Sequence, residues 1–202
     1  GPRTAPTARF SGDTHLCAGR AGPLDDVPPT CRADYRVAVS VGLLTDKYEL
    51  TMLQAALRDG SAHRRTTFEL FARRLPDGRR YGVVGGTGRF VDSLGEFRFD
   101  DGALASLAEF LDPATLEFLR DFRFAGDVDG YPEGELYFAN SPVLSISGTF
   151  AECVLLETLA LSIFNHDTAI ASAAARMVSA AGGRTLIEMG SRRTHERRRD
   201  GQ

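Results

Sequence analysis

The sequence predicts an α/β protein made of a small mixed domain and the opening of a βαβ or barrel unit, and three observations lead there. Hydrophobic residues make up 43% and charged residues 25% of the 202 residues, near the averages of folded globular chains. From about residue 41 to residue 148, helix-period segments alternate with short strand-like runs separated by turn residues. From residue 149 the pattern changes to long apolar helices followed directly by a strand-like run, the order in which a parallel-sheet unit begins.

Residues 1 to about 40 hold five of the nine prolines and two of the three cysteines and show no apolar period of 2 or 3.6, so they read as a disordered or non-native leader. With Gly1 first and Met52 the first methionine, the native start is expected elsewhere. Order is expected from Val41, with Thr45 as helix N-cap, a helix from Asp46 to about Arg58 carrying Leu50, Leu53 and Leu57 on one stripe, and Gly60 ending it. Thr66 to Arg73, rich in Phe and Thr, predicts a strand, Pro76-Asp77-Gly78 a turn, and Tyr81 to Gly88 a strand or loop. Asp112 before Pro113 predicts a capped helix through Leu116, Leu119 and Phe122, and Asp127 to Ser147 predicts antiparallel strands.

Thr149 and Glu152 have capping-box spacing, and the helix they open is apolar nearly all round, which predicts burial on several sides. Asp167 can cap a second, alanine-rich helix with Ile170, Ala174 and Met177 on one face, stopped by Gly182-Gly183. Arg184 to Gly190 then predicts a strand. The expected division is a leader over 1–40, an N-terminal α/β domain over 41–148, the first part of a second domain over 149–196, and a tail over 197–202.

Several function classes are disfavoured by charge and composition. A formal net charge of -3 gives no general attraction to nucleic acid or anionic lipid. The most apolar stretch, Phe150 to Phe164, is interrupted by Glu152 and Glu157 and is too short to span a bilayer. Cys17, Cys31 and Cys153 cannot all pair within one chain and show no zinc-ligand spacing, so a cytoplasmic location and no metal site on this chain are expected.

Most candidate motifs have an ordinary explanation. Gly86-Thr87-Gly88 lacks the third glycine of a dinucleotide loop, because Val91 stands there, and Gly85 to Gly88 reads as a turn. Asp127-Val128-Asp129 beside Gly130 also reads as turn residues rather than a cation loop. His166 and Asp167 could form an acid–base pair, but Asp167 is already assigned as a cap.

Two segments carry more. Thr45-Asp46-Lys47-Tyr48-Glu49-Leu50-Thr51-Met52 resembles the N-terminal TDxYxxTM signature of nicotinate phosphoribosyltransferases, and Glu188-Met189-Gly190-Ser191-Arg192-Arg193 resembles that family's strand-end E-(F/M)-G-x-R-R. Between them, Leu156-Glu157-Thr158-Leu159 through Asn165 to Ala169-Ile170-Ala171 and Ala174-Ala175-Arg176 is similar to the family's L-E-T…N…I-A-x-x-A-A-R helix pair, in the same order. The resemblance covers about residues 41 to 196 and implies an α+β N-terminal domain followed by the start of an irregular phosphoribosyltransferase barrel.

It also implies a reaction. Family members join nicotinate to 5-phosphoribosyl 1-pyrophosphate, giving nicotinate mononucleotide for NAD synthesis with coupled ATP hydrolysis through a phosphorylated histidine, and Mg2+ escorts the pyrophosphate. Nicotinate is a flat ring bearing a carboxylate, so it needs a stacking face and a planar cation; Tyr48 would supply the first, and one of Arg192 and Arg193 would bind the carboxylate or a phosphate bidentately. Asp46 would help hold the loop or substrate beside Tyr48, and Glu188 would line the strand-end site. Tyr48 is expected to reach a neighbouring subunit's site, so a homodimer is implied. The phosphorylated histidine lies in a G-T-x-x-H segment that this chain lacks, and His195 does not match it. A truncated chain, inactive alone and with no catalytic residue of its own, is therefore expected. A nicotinamide or quinolinate enzyme, and a non-catalytic remnant or oligomerisation module, are the alternatives.

Overall fold

The computed structural model describes residues 40–190. The expected leader, except Ser40, and everything after Gly190, including Arg192, Arg193 and the tail, lie outside the described residues. A short turn over Val41–Leu43 is fastened to a distant segment: Ser40 Oγ and the Gly42 amide both donate to the Arg98 carbonyl, at 2.6 and 3.2 Å. A Cβ on Gly42 would lie 2.5 Å from that oxygen, which is why a glycine stands there.

Helix α1 spans Lys47–Asp59 and buries Leu50, Leu53 and Ala56. Its N-cap is Asp46, not Thr45. Asp46 has the extended backbone a cap requires (φ -85°, ψ 154°), whereas the Thr45 hydroxyl is turned onto the Glu49 carboxylate. Gly60 ends the helix in the left-handed region at φ 79°, as the sequence predicts.

Strand β1, Arg65–Phe71, pairs antiparallel with β5, Pro142–Thr149, and β5 also pairs with β3, Asp127–Gly130, so β5 is the middle of a three-stranded sheet. The register sets Phe68 and Val128 on either side of Ile146. A second, two-stranded ladder joins β2, Gly82–Val83, to β4, Leu136–Tyr137. The antiparallel strands expected between Asp127 and Ser147 are therefore present.

Three helices lie between β2 and β3. The sequence predicts only the last, α4 over Pro113–Asp121, where Asp112 accepts the Thr115 amide at 2.9 Å. It gives no sign of α2, Thr87–Glu96, or α3, Asp101–Leu107. Helix α2 opens on Gly86 at φ 100° with no side-chain cap, so its start looks like the turn expected over Gly85 to Gly88. Helix α3 does have a cap, Asp100 accepting the Ala103 amide at 2.8 Å, but it is only seven residues long.

The largest difference is α5. The sequence predicts two helices parted near Asp167; the structure has one, Phe150–Ala181, of 32 residues. No proline or glycine interrupts that span, and the Asp167 carboxylate is held by Arg89 and His166 rather than by a helix start. Its first half is buried on several sides, as expected: Cys153, Val154, Leu155, Leu156 and Leu159 are all inaccessible. The core gathers around this half, with α1, β1 and β5 packed against it, while α2 meets the middle of the helix through Phe90 and Phe164 and β2 meets its second half at Ser172. Beyond Ser172 no residue of α5 is buried.

Residues 184–190 do not form the expected strand. Strand propensity is realised only against a partner, and none of the described strands pairs with this run, which leaves Ile187 79% and Met189 82% exposed.

The Thr149 cap suggests one measurement. Glu152 accepts the Thr149 amide and hydroxyl, each at 2.7 Å, and the Ala125 amide at 2.8 Å. Partial burial pushes this carboxyl upward, but those bonds outweigh it and hold its pKa below the ordinary value. A carboxyl depressed in the folded state stabilises above its unfolded pKa, about 4.3, and that stabilisation is lost as pH falls through the folded value. Glu152→Gln should therefore flatten the fall of the urea midpoint between about pH 5 and pH 3, relative to wild type. Parallel curves for the two proteins would exclude the role.

Candidate functional site

The first turn of α1 and the third turn of α5 meet through two adjacent pairs of side chains. Glu49 is fully buried, at 0% exposure. One of its carboxylate oxygens accepts the Asp46 amide at 3.0 Å and the Thr45 hydroxyl; the other accepts the Thr158 amide at 3.0 Å and the Thr158 hydroxyl at 2.6 Å. Four donors around a buried carboxylate satisfy the charge that burial would otherwise penalise. One residue earlier on each helix, the Tyr48 hydroxyl donates to Glu157 Oε1 at 2.8 Å. Partial burial, and then the bond to Glu157 and its charge, raise the phenol's pKa above its usual value, so Tyr48 stays protonated across the physiological range. Tyr48 as a whole is 45% exposed.

These contacts join segments 109 residues apart in the chain. The TDxYxxTM-like and L-E-T-like stretches, separate in the sequence, are therefore two halves of one joint. Periodicity alone could not have paired them.

Glu157 also lines a cleft of about 320 Å³ between β1 and α5. Phe68, Leu70 and Leu161 give it apolar walls, while Glu69, Arg73 and Glu157 bring in charge. That combination suits a small, flat, partly charged ligand. Cys153 lies on this cleft's floor, but burial pushes its thiol pKa up, so it is a packing residue rather than a nucleophile.

A second cleft, of about 410 Å³, lies between the start of α2 and the middle of α5. Arg89 reaches Asp167 Oδ1 at 2.9 Å, and His166 Nδ1 lies 2.8 Å from the same oxygen. Glu133 Oε1 accepts the amides of Gly86 and Gly88, at 3.2 and 3.1 Å, and so fills the anion position at the start of α2. The Gly85 to Gly88 stretch is thus a helix entry closed by a carboxylate of the chain itself. Asp167, expected to be a cap, is an anchor between helices.

The residues singled out in the sequence are not all brought together. Asp46 caps α1 and bonds Glu49 through its amide. Glu188 accepts the Gly190 amide within its own exposed run, so its bond does not lead to Tyr48. Arg192 and Arg193 lie outside the described residues. Glu49, Glu157 and Arg73 were missed as site residues. The first two stood inside the quoted motifs, and only their pairing across the fold reveals what they do.

Comparison with known proteins agrees with the motifs. Residues 43–165 match the family model of the nicotinate phosphoribosyltransferase (NAPRTase) N-terminal domain. The chain is 80% identical over 156 residues to nicotinate phosphoribosyltransferase pncB1 of Mycobacterium tuberculosis, covering 77% of this chain and 35% of that protein. It is 37% identical over 164 residues to nicotinate phosphoribosyltransferase of Bacillus subtilis, covering 78% of this chain and 32% of that one. Among solved structures, human nicotinic acid phosphoribosyltransferase superposes with a TM-score of 0.66 at 35% identity, over 71% of this chain and 30% of that chain. A nicotinate-nucleotide pyrophosphorylase from Pyrococcus furiosus shares the fold, with a TM-score of 0.57 at 23% identity. The chain spans about a third of the length of the curated relatives it matches. With the family model covering more than half of its residues, this chain belongs to the nicotinate phosphoribosyltransferase family, of which it carries the N-terminal domain.

Proposed function

We propose that the polypeptide carrying this chain joins nicotinate to 5-phosphoribosyl 1-pyrophosphate, and that the joint between α1 and α5 presents Tyr48 to the pyridine ring. The observation that carries this reading is Tyr48 itself: its hydroxyl is tethered to Glu157 while almost half of the residue's surface is open. A tethered aromatic offers a flat stacking face at little further loss of freedom. The 80% identity to a protein named for this activity supports it. The exposure of Tyr48 also fits a homodimer in which it serves the neighbouring subunit's site.

In this reading residues 1–40 are a leader, 41–148 form the N-terminal domain, 149–196 begin the barrel and 197–202 are a tail, and the protein works in the cytoplasm. Asp46 holds the entry to α1, while Glu188, Arg192 and Arg193 serve the substrate from the start of the barrel. Among the described residues no group of three or more His, Cys, Asp or Glu could hold a metal ion. Mg2+ would escort the pyrophosphate, and ATP would serve as co-substrate, as in the family's reaction.

Tyr48→Ala in the complete polypeptide should raise the KM for nicotinate roughly 2- to 10-fold, the equivalent of about 0.5 to 1.5 kcal/mol of ring contact, and raise the KM for the ribosyl donor less. Steady-state kinetics with nicotinate, nicotinamide and quinolinate as rival substrates test both points. Equal effects on the two KM values would remove Tyr48 from the pyridine site, and preference for another pyridine would replace the substrate. Residues 1–202 alone should form no nicotinate mononucleotide in the same assay.

A further inference from the structure

We infer that Glu157 is the positioning residue for Tyr48: by accepting the phenol proton it fixes which face of the ring is offered to the pyridine. This rests on the function proposed above.

The geometry favours positioning over simple adhesion. Tyr48 sits in the first turn of α1, where nearly half of its surface is open, so packing alone leaves the ring free to change rotamer. The bond to the Glu157 carboxylate, at 2.8 Å, ties the hydroxyl end, and the buried Glu49 carboxylate acts on the same phenol more weakly. Glu157 in turn is placed by its surroundings. Leu155, Leu156 and Leu159 on either side of it are fully buried, and its neighbour Thr158 is locked to Glu49 through both amide and hydroxyl. The acceptor therefore stands on a stretch of helix that cannot shift without opening the core. Glu157 is also among the residues that line the β1–α5 cleft, as is Arg73, so it links Tyr48 to that cleft.

A positioning role predicts a particular pattern in the complete polypeptide. Tyr48→Phe keeps the ring and loses the tether; Glu157→Ala keeps the ring and loses the acceptor. Each should raise the KM for nicotinate about fivefold with kcat within about twofold, as expected for a lost charge-assisted hydrogen bond that orders a binding group. The double variant should be no worse than either single one, and Glu157→Gln, whose amide oxygen can still accept, should remain within about twofold of wild type. Additive effects in the double variant, or an unchanged KM in Tyr48→Phe, would overturn the inference while leaving the proposed reaction intact. Should Glu157→Ala not fold, Tyr48→Phe alone decides, because it removes the same bond from the other side. A wild-type polypeptide that does not use nicotinate would instead refute the reaction and, with it, this inference.

Discussion

Replacing Glu49 by alanine should destabilise the fold by about 3 to 5 kcal/mol, because several buried donors are left without an acceptor at about 1 to 3 kcal/mol each. Four donors lose their acceptor at once: the hydroxyls of Thr45 and Thr158 and the amides of Asp46 and Thr158. The site is inaccessible in the folded chain, so the vacated space has no solvent route short of local opening. A domain of this size is stable by only about 5 to 15 kcal/mol, so the variant should be close to unfolding at moderate temperature. Glu49→Gln should lose less, yet still lose stability, because its NH2 group would face donors where the carboxylate presents an oxygen. Urea titration of residues 1–202, followed by circular dichroism, measures both. A loss below about 1 kcal/mol for the alanine variant would mean that the joint is not what holds α1 to α5.

Phe90→Ala should have an effect of similar size, about 3 to 5 kcal/mol, for a purely apolar reason. The ring is inaccessible and meets Phe164 edge-to-face, with centroids 6.1 Å apart and planes at 61°. It is also the sole buried residue of α2, so its loss removes the anchor of that helix as well as creating a cavity. Arg89 and Asp167, which join the same two helices with side chains 30% and 24% exposed, cannot fill the apolar space that the ring vacates. In the Phe90→Ala, Phe164→Ala double variant the total loss should fall short of the sum by roughly 0.5 to 1.5 kcal/mol, the coupling typical of an aromatic pair. Strict additivity would show that the two rings are not in contact. Loss of the Arg89–Asp167 bond in Phe90→Ala, read from the Arg89 guanidinium NMR signals, would confirm that α2 has detached.

A side-chain start signal was sufficient for α4 and α5, though not for the seven-residue α3, whose Asp100 cap went unread. Asp112 before Pro113, Thr149 three residues before Glu152, and the glycines at 60 and 182 announce boundaries that the structure keeps. Helix α2 escaped because a backbone-only entry through Gly86 carries no such signature, and its capping carboxylate, Glu133, arrives from 47 residues away. The unbroken α5 escaped for the opposite reason. Asn165-His166-Asp167 looks like a polar interruption until Arg89, 78 residues distant in sequence, turns Asp167 into an interhelical anchor.

The same division runs through the candidate site. The family was legible because its motifs are short runs of particular residue types in a fixed order, and that order needs no coordinates. Tyr48 was legible with it, since a flat substrate calls for a flat side chain. What the tertiary structure decided is which carboxylate belongs to which partner. Glu49 and Glu157 are ordinary helix residues by local pattern, and only the packing of α1 on α5 makes one a buried four-donor hub and the other the acceptor of the Tyr48 proton. Local sequence fixes propensity and caps because those act over three or four residues, whereas a hydrogen bond across 109 residues exists only once the core has brought the two helices within 3 Å of each other's side chains.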